Sequence, residues 1–153
     1  MTRHVLEATQ WIPATPDQAF EFFSNAANLE TITPEFLNFK ILTPLPIAMH
    51  SGTLIEYRIK LMGLPMRWLT RIEEWVPGER FVDVQLRGPY AQWIHSHTFA
   101  SKDGGTELED RVEYALPFEP LTTPVHALFV RRTVERIFAH RRVTIAHLFG
   151  GDG

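Results

Sequence analysis

The sequence contains no cysteine. That excludes a disulfide framework, a thiolate zinc site, an iron–sulfur cluster and a cysteine nucleophile, so any metal would have to be held by His and carboxylate side chains. It also lacks a run of about 18 consecutive apolar residues, the length a bilayer-spanning helix requires. The opening residues Met1-Thr2-Arg3-His4-Val5-Leu6-Glu7 break up apolar character with charge and offer no signal-peptide core. This predicts a cytoplasmic protein with no stable membrane insertion. A basic excess is missing too: 15 Lys+Arg against 18 Asp+Glu leave a formal charge of -3, which argues against a nucleic-acid partner. There is no GxSxG elbow, Walker-type phosphate loop, GxGxxG after a strand, or HExxH, so esterase, kinase, dinucleotide and zincin chemistries lack their parts. Cofactor-free chemistry is the enzyme class left open.

What is present is 153 residues, 44% of them apolar, enough to bury one sizeable core and too few to suggest two. The 11 prolines fall between patterned segments and form no linker, so residues 1–153 read as one domain. Residues His4 to Trp11 alternate as a strand. Thr15-Pro16-Asp17-Gln18 is a helix start: Thr at the cap, Pro at the first helical position, an acid in the first turn, Gln three residues beyond the cap. A second short helix is predicted over Ala26 to Ile32, ended by Pro34. Extended runs follow at Phe36–Leu42, Thr53–Met62, Met66–Trp75, Arg80–Arg87, Ala91–Ser101 and Thr106–Leu116. Gly63-Leu64-Pro65, Pro77-Gly78, Gly88-Pro89 and Asp103-Gly104-Gly105 separate them at hairpin spacing, which predicts a curved antiparallel meander.

From Thr122 to Leu148 the apolar period becomes helical, through Val125, Leu128, Phe129, Val134, Ile137, Phe138, Ile145 and Leu148. Such a helix would be about 40 Å long and would have to lie across the whole sheet. Arg131, Arg132, Arg136, Arg141 and Arg142 decorate it, the last pair near the negative end of its dipole. They could meet phosphate, an anionic surface or an acidic partner, but long Arg side chains also cover apolar surface around a packed helix.

Strand, two short helices, antiparallel meander and long C-terminal helix is the order of the helix-grip fold, of α+β class. The chain resembles the START-like (SRPBCC) superfamily, in its bacterial polyketide cyclase/dehydrase-like branch. The resemblance covers nearly the whole chain. It is carried by Ala27-Asn28-Leu29-Glu30-Thr31-Ile32-Thr33-Pro34, by Phe81-Val82-Asp83-Val84-Gln85 leading to Gly88-Pro89-Tyr90, by Trp93-Ile94-His95-Ser96-His97-Thr98-Phe99, and by Gly104-Gly105-Thr106 before Asp110-Arg111-Val112. It implies an internal cavity between sheet and helix that takes a lipid-like or polycyclic molecule, and it implies no metal or cofactor. The 11 Phe, 4 Trp and 3 Tyr could line such a cavity. One scaffold serves carriers and enzymes alike, so the resemblance alone does not choose between them.

Alternation assigns the side chains that face the helix. In the run Ala91–Ser101, Trp93, His95, His97 and Phe99 share the inner face; in the last run Leu108, Asp110, Val112, Tyr114 and Leu116 do. The phase of Arg80–Arg87 is ambiguous, and only if Phe81, Asp83 and Gln85 point inward does a polar cluster form with His95, His97, Asp110 and Tyr114. The predicted ligand contacts are Tyr57, Ile59, Phe81, Asp83, Gln85, Trp93, His95, His97, Phe99, Tyr114 and Phe129. A His–Asp pair drawn from His95, His97 and Asp110 could transfer protons in an aldol cyclisation or a dehydration, with Tyr57 or Tyr114 polarising a carbonyl. The same residues could equally be a satisfied buried hydrogen-bond network that fixes strand register. His95-x-His97 also has the spacing of two metal ligands on one strand face, a pattern common by chance. Glu56, Glu73 and Glu74 read as solvent-facing partners of Arg58, Lys60 and Arg71. The apolar loop Pro44-Leu45-Pro46-Ile47, with Met49, is placed either at the cavity mouth or in ordinary packing. The preferred reading is carriage or sensing of a hydrophobic small molecule; cofactor-free cyclase or dehydratase activity is the rival. A third reading, an interaction module working through the long helix, gains if the cavity is closed or smaller than about 300 Å³.

Overall fold

The computed structural model describes residues 3–61, 63–118, 121, 124 and 129–150. β1 (His4–Ile12) is followed by α1 (Pro16–Phe23), a 3₁₀ turn (Ala26–Asn28), α2 (Leu29–Ile32) and a second 3₁₀ turn (Glu35–Leu37). Then come β2 (Lys40–Ile41), β3 (Leu54–Leu61), β4 (Leu64–Val76), β5 (Arg80–Arg87), β6 (Gln92–Lys102), β7 (Gly105–Ala115) and the terminal helix α3 (Arg131–Phe149). The strands form one seven-stranded sheet in the order β1-β7-β6-β5-β4-β3-β2, antiparallel throughout. Strands β2 to β7 are the predicted meander, and β1 returns to pair with β7.

The start of α1 follows from its residues. Thr15 accepts from the Gln18 N–H, and the Gln18 side chain accepts from the Thr15 N–H, so two otherwise orphaned donors are paired reciprocally. Ala19, Phe20 and Phe23 then face the sheet, where the Phe20 ring meets Trp75, Phe81 and Phe99 edge-on. The pairing of β4 with β5 shifts register twice, past Leu86 of β5 and past Glu73 of β4, and such bulges bend a sheet. The hairpin from β6 into β7 needs glycine at 105, because a Cβ there would lie 2.3 Å from the Ile12 carbonyl oxygen.

Two expectations are corrected or narrowed. The strand expected over Phe36–Leu42 is reduced to Lys40–Ile41. Glu35–Leu37 instead closes a 3₁₀ turn ended by Asn38 at φ 47, a left-handed conformation that Asn tolerates better than most residues. The described part of the long helix starts at Arg131, and its 19 residues span about 28 Å; the expected first turns, with Thr122, Val125 and Leu128, lie outside the described residues. Val134, Phe138 and Ile145 are its buried face, while Phe129 and Leu148 are exposed and Phe149 packs against Phe22 and Phe23 instead. Helix and β1 are tied at their crossing: Gln10 Nε2 donates to the Arg142 carbonyl at 2.9 Å, and Arg142 Nη1 donates to the Thr9 carbonyl at 2.7 Å. No helix among the described residues is long and apolar enough to cross a membrane.

Candidate functional site

Three neighbouring strands bring the polar residues together. Opposite one another across the sheet stand Phe81, His97 and Asp110 in one row and Asp83, His95 and Val112 in the next. The side-chain bonds run along the diagonals between rows, within reach on a pleated face. His97 Nε2 lies 2.8 Å from Asp83 Oδ2, and His95 Nε2 lies 2.9 Å from Asp110 Oδ1. The two imidazoles stack at 3.7 Å, His97 stacks on Phe81 at 4.0 Å, and Phe138 of α3 meets His95 edge-on. From α3, Arg141 Nη2 donates to Asp110 Oδ1 at 3.2 Å. His97 Nδ1 is also 3.2 Å from that oxygen, but off the line a hydrogen bond needs, and it has no other partner.

The electrostatics follow from burial and pairing. Burial would raise the Asp110 carboxyl, but the Arg141 guanidinium and the imidazoles outweigh it and hold it well below the usual carboxylate range. Burial opposes ionisation of Asp83 as well, yet its bond to His97 and the nearby cations leave it lowered. For His97, burial disfavours the imidazolium and the two carboxylates more than compensate, so its pKa is raised. His95, beside His97, is lowered by burial and by that neighbour. When His97 is protonated and His95 neutral, two carboxylates face two cations. Burial also pushes the Tyr57 hydroxyl up, which keeps it neutral; it pairs with Thr70 Oγ1 at 3.3 Å. Donor atoms of Asp83, His95 and His97 lie within 4.8 Å of one another, the ligand set a cation would use. A cation there would compete with the histidine–carboxylate bonds and with the fixed charge of Arg141, so the cluster as built is a hydrogen-bonded ion network.

That network forms one wall of a partly open cavity of about 160 Å³ between the sheet, α1, α2 and α3. Of the expected contacts, Tyr57, Ile59, Phe81, Asp83, Trp93, His95 and His97 line it. The others are placed elsewhere, each for a physical reason. Phe99 is buried in the adjoining aromatic packing of Phe20, Phe23 and Phe81. The Gln85 side chain turns back to the β5–β6 connection, donating to the Tyr90 carbonyl at 2.7 Å and accepting from its N–H at 3.2 Å. Tyr114 packs among Tyr90, Trp93 and His4. Phe129, two residues before α3, is half exposed. Asp110 stands behind the two histidines, facing a second cleft with Ala8, Gln10 and Arg142. Met49 lines the cavity, while Leu45 of the same loop is exposed. Glu73 and Glu74 pair at the surface with Arg71 and Arg80, and Glu56 meets Arg67 and not Arg58 or Lys60.

Sequence reasoning missed Arg141, Trp68 and Tyr90. Arg141 had a signal: it falls at helical spacing between Val134, Phe138 and Ile145, in the middle of the buried stripe. Trp68 lines the cavity from β4 and stacks on Tyr57 at 5.7 Å.

Comparisons with known proteins agree with this architecture. CV1439 from Chromobacterium violaceum superposes with a TM-score of 0.73 at 19% identity, over 97% of this chain and 98% of that one. TTHA0849 from Thermus thermophilus gives 0.72 at 17%, over 95% and 99%. The Zhui aromatase/cyclase from Streptomyces sp. R1128 gives 0.67 at 14%, over 96% of each. No curated protein matches the sequence significantly. Residues 12–140, most of the chain, match the family described as polyketide cyclase/dehydrase and lipid transport. The chain belongs to that family, and its fold is the helix grip of the START-like superfamily.

Proposed function

We propose that the protein binds a hydrophobic small molecule in the cavity beneath α3 and carries or senses it rather than converting it. The observation behind this reading is a mostly apolar, aromatic pocket with its charged groups, Asp83, His95, His97 and Arg141, clustered together, the arrangement by which small-molecule sites gain affinity from burial and orientation from a few polar contacts. The volume of about 160 Å³ is small for such a site and favours an interaction module by that criterion alone. Against the module stands the cost of the polar wall: a cavity without a ligand has no reason to keep buried N–H groups unpaired, as Trp68 Nε1 and Arg141 Nε are. Native mass spectrometry of freshly purified protein tests the reading. A co-purifying small apolar molecule is the expected result; persistently empty protein that also fails to bind small aromatic probes would overturn it.

A rival reading has its own observation. His95 lies on the cavity wall with Asp110 directly behind it at 2.9 Å, and its lowered pKa leaves it a neutral base at pH 7. That is the geometry of an oriented acid/base pair in a cofactor-free cyclase or dehydratase, with His97 as a second proton-transfer group. In that case His95→Ala and Asp110→Asn abolish turnover of a responsive substrate while binding persists. Carriage predicts no turnover by the wild-type protein at all.

A further inference from the structure

Two buried N–H groups on residues that line the cavity have no hydrogen-bond partner: the indole Nε1 of Trp68 and Nε of Arg141. Both are donors only. A third such nitrogen, His97 Nδ1, is turned toward Asp110 behind the cavity, 3.2 Å from its Oδ1, and adds nothing to the demand. The other such atom among the described residues, Gln92 Oε1, is not part of the lining. The unmet demand of these two lining side chains is therefore for acceptors. A buried donor left unsatisfied carries its full desolvation penalty, so a molecule that supplies an acceptor oxygen recovers stability that a pure hydrocarbon cannot.

Charge decides what kind of oxygen. Asp83 and Asp110 already face Arg141 and His97. A carboxylate entering this wall would add an uncompensated buried charge, whereas a carbonyl oxygen takes the same N–H groups without one. Size decides the body: a cavity of about 150 Å³ lined by apolar side chains holds benzene, and this one is about 160 Å³ and partly open. Building on the proposed function, we infer that the ligand enclosed here is about one ring in size and meets the polar wall with a neutral acceptor oxygen, as a small aryl ketone does.

Acetophenone and α-methylstyrene are near-isosteres that differ by a carbonyl oxygen against a methylene, and benzoate carries the charged alternative. Calorimetric or NMR titration of the full chain at pH 7.5 compares the three. Acetophenone is expected to bind at least ten-fold more tightly than either of the others. In Trp68→Phe, or in Arg141→Lys, which keeps the charge beside Asp110 but removes Nε, the preference over α-methylstyrene should fall below three-fold while α-methylstyrene itself still binds. Equal binding of ketone and hydrocarbon, a ketone preference surviving in both variants, or benzoate binding tightest would each overturn the inference and leave the hydrophobic cavity standing. Failure of all three probes to bind at 1 mM would remove the cavity reading with it. Trp68→Phe leaves the ion network intact, so the comparison holds even if the Arg141 variant does not fold.

Discussion

Two histidines of one strand, two residues apart and with stacked rings, have opposite environments. His97 touches both carboxylates; His95 touches one and carries the repulsion of its neighbour. We expect two imidazole titrations by NMR, His97 above the ordinary 6.5 and His95 below it, and coincident midpoints would sink the network as described. Linkage fixes the sign. The contribution of His97 is complete below pH 6.5 and is lost as pH rises through its elevated folded value. Those of His95 and the two carboxylates are present above their unfolded values and are lost as pH falls, His95 first. Arg141→Met should cost about 3–5 kcal/mol in denaturant unfolding, because it leaves Asp110 buried without its fixed counter-charge. The double variant Asp110→Asn/Arg141→Met should recover part of that, since no unpaired charge remains. Simple additivity would mean that the two side chains do not interact. At this scale the inward histidines and Asp110 were legible, because strand period two leaves little choice once Trp93 and Phe99 mark the inner face. Arg141 was hidden among five arginines on one helix, where charge suggested solvent; only its place in the 134–138–141–145 stripe marked it as buried.

Short local devices set where the elements begin and end, and they were the most readable part of the chain. The capping box at Thr15 and Gln18 was complete in the sequence because both partners lie within four residues. Thr15→Ala should lower stability by about 1 kcal/mol. Thr15→Asn or Thr15→Asp should recover most of it, and a loss that both replacements share would mean that Thr15 acts by packing and not as a cap. The β5–β6 connection is held differently. Gln85 replaces backbone pairing with two side-chain bonds to Tyr90, and Tyr90 in turn packs on Trp68 and Trp93 beside the cavity. Its role could not be read from alternation, which put it on one face with Phe81 and Asp83 and left the phase of that face ambiguous; the end of a strand is where a side chain can leave the pleat for a turn. The shortening of the strand expected at Phe36–Leu42 has the same origin, since a turn at Asn38 outcompeted an apolar run too short to define a period.

Cavity volume belongs to the whole molecule, because it is what remains after sheet curvature, the two register shifts between β4 and β5 and the seating of three helices have been fixed. No local pattern encodes that remainder, so the residues could supply an aromatic lining but neither the hollow nor its size, and the expectation of a cavity with a lipid-like or polycyclic occupant drew on resemblance alone. The size has a mechanical consequence. In a fully packed interior, adding volume costs about 1–3 kcal/mol through strain, whereas in a real void it replaces missing dispersion contacts. Ile59 is buried on the cavity wall beside Trp68. Ile59→Phe should therefore keep or raise the melting temperature while weakening binding of a one-ring probe at least ten-fold. A fall of more than about 2–4 °C, equivalent to roughly 1 kcal/mol in a chain of this size, would show that the space is not available to a side chain, and by the same logic not to a ligand. The interaction-module reading separates here as well. α3 exposes Val143 and Leu148, so a module working through that face would keep its partner after the cavity is filled and lose it when Val143 is made charged. A protein that works through its interior should respond to the two substitutions in the opposite way.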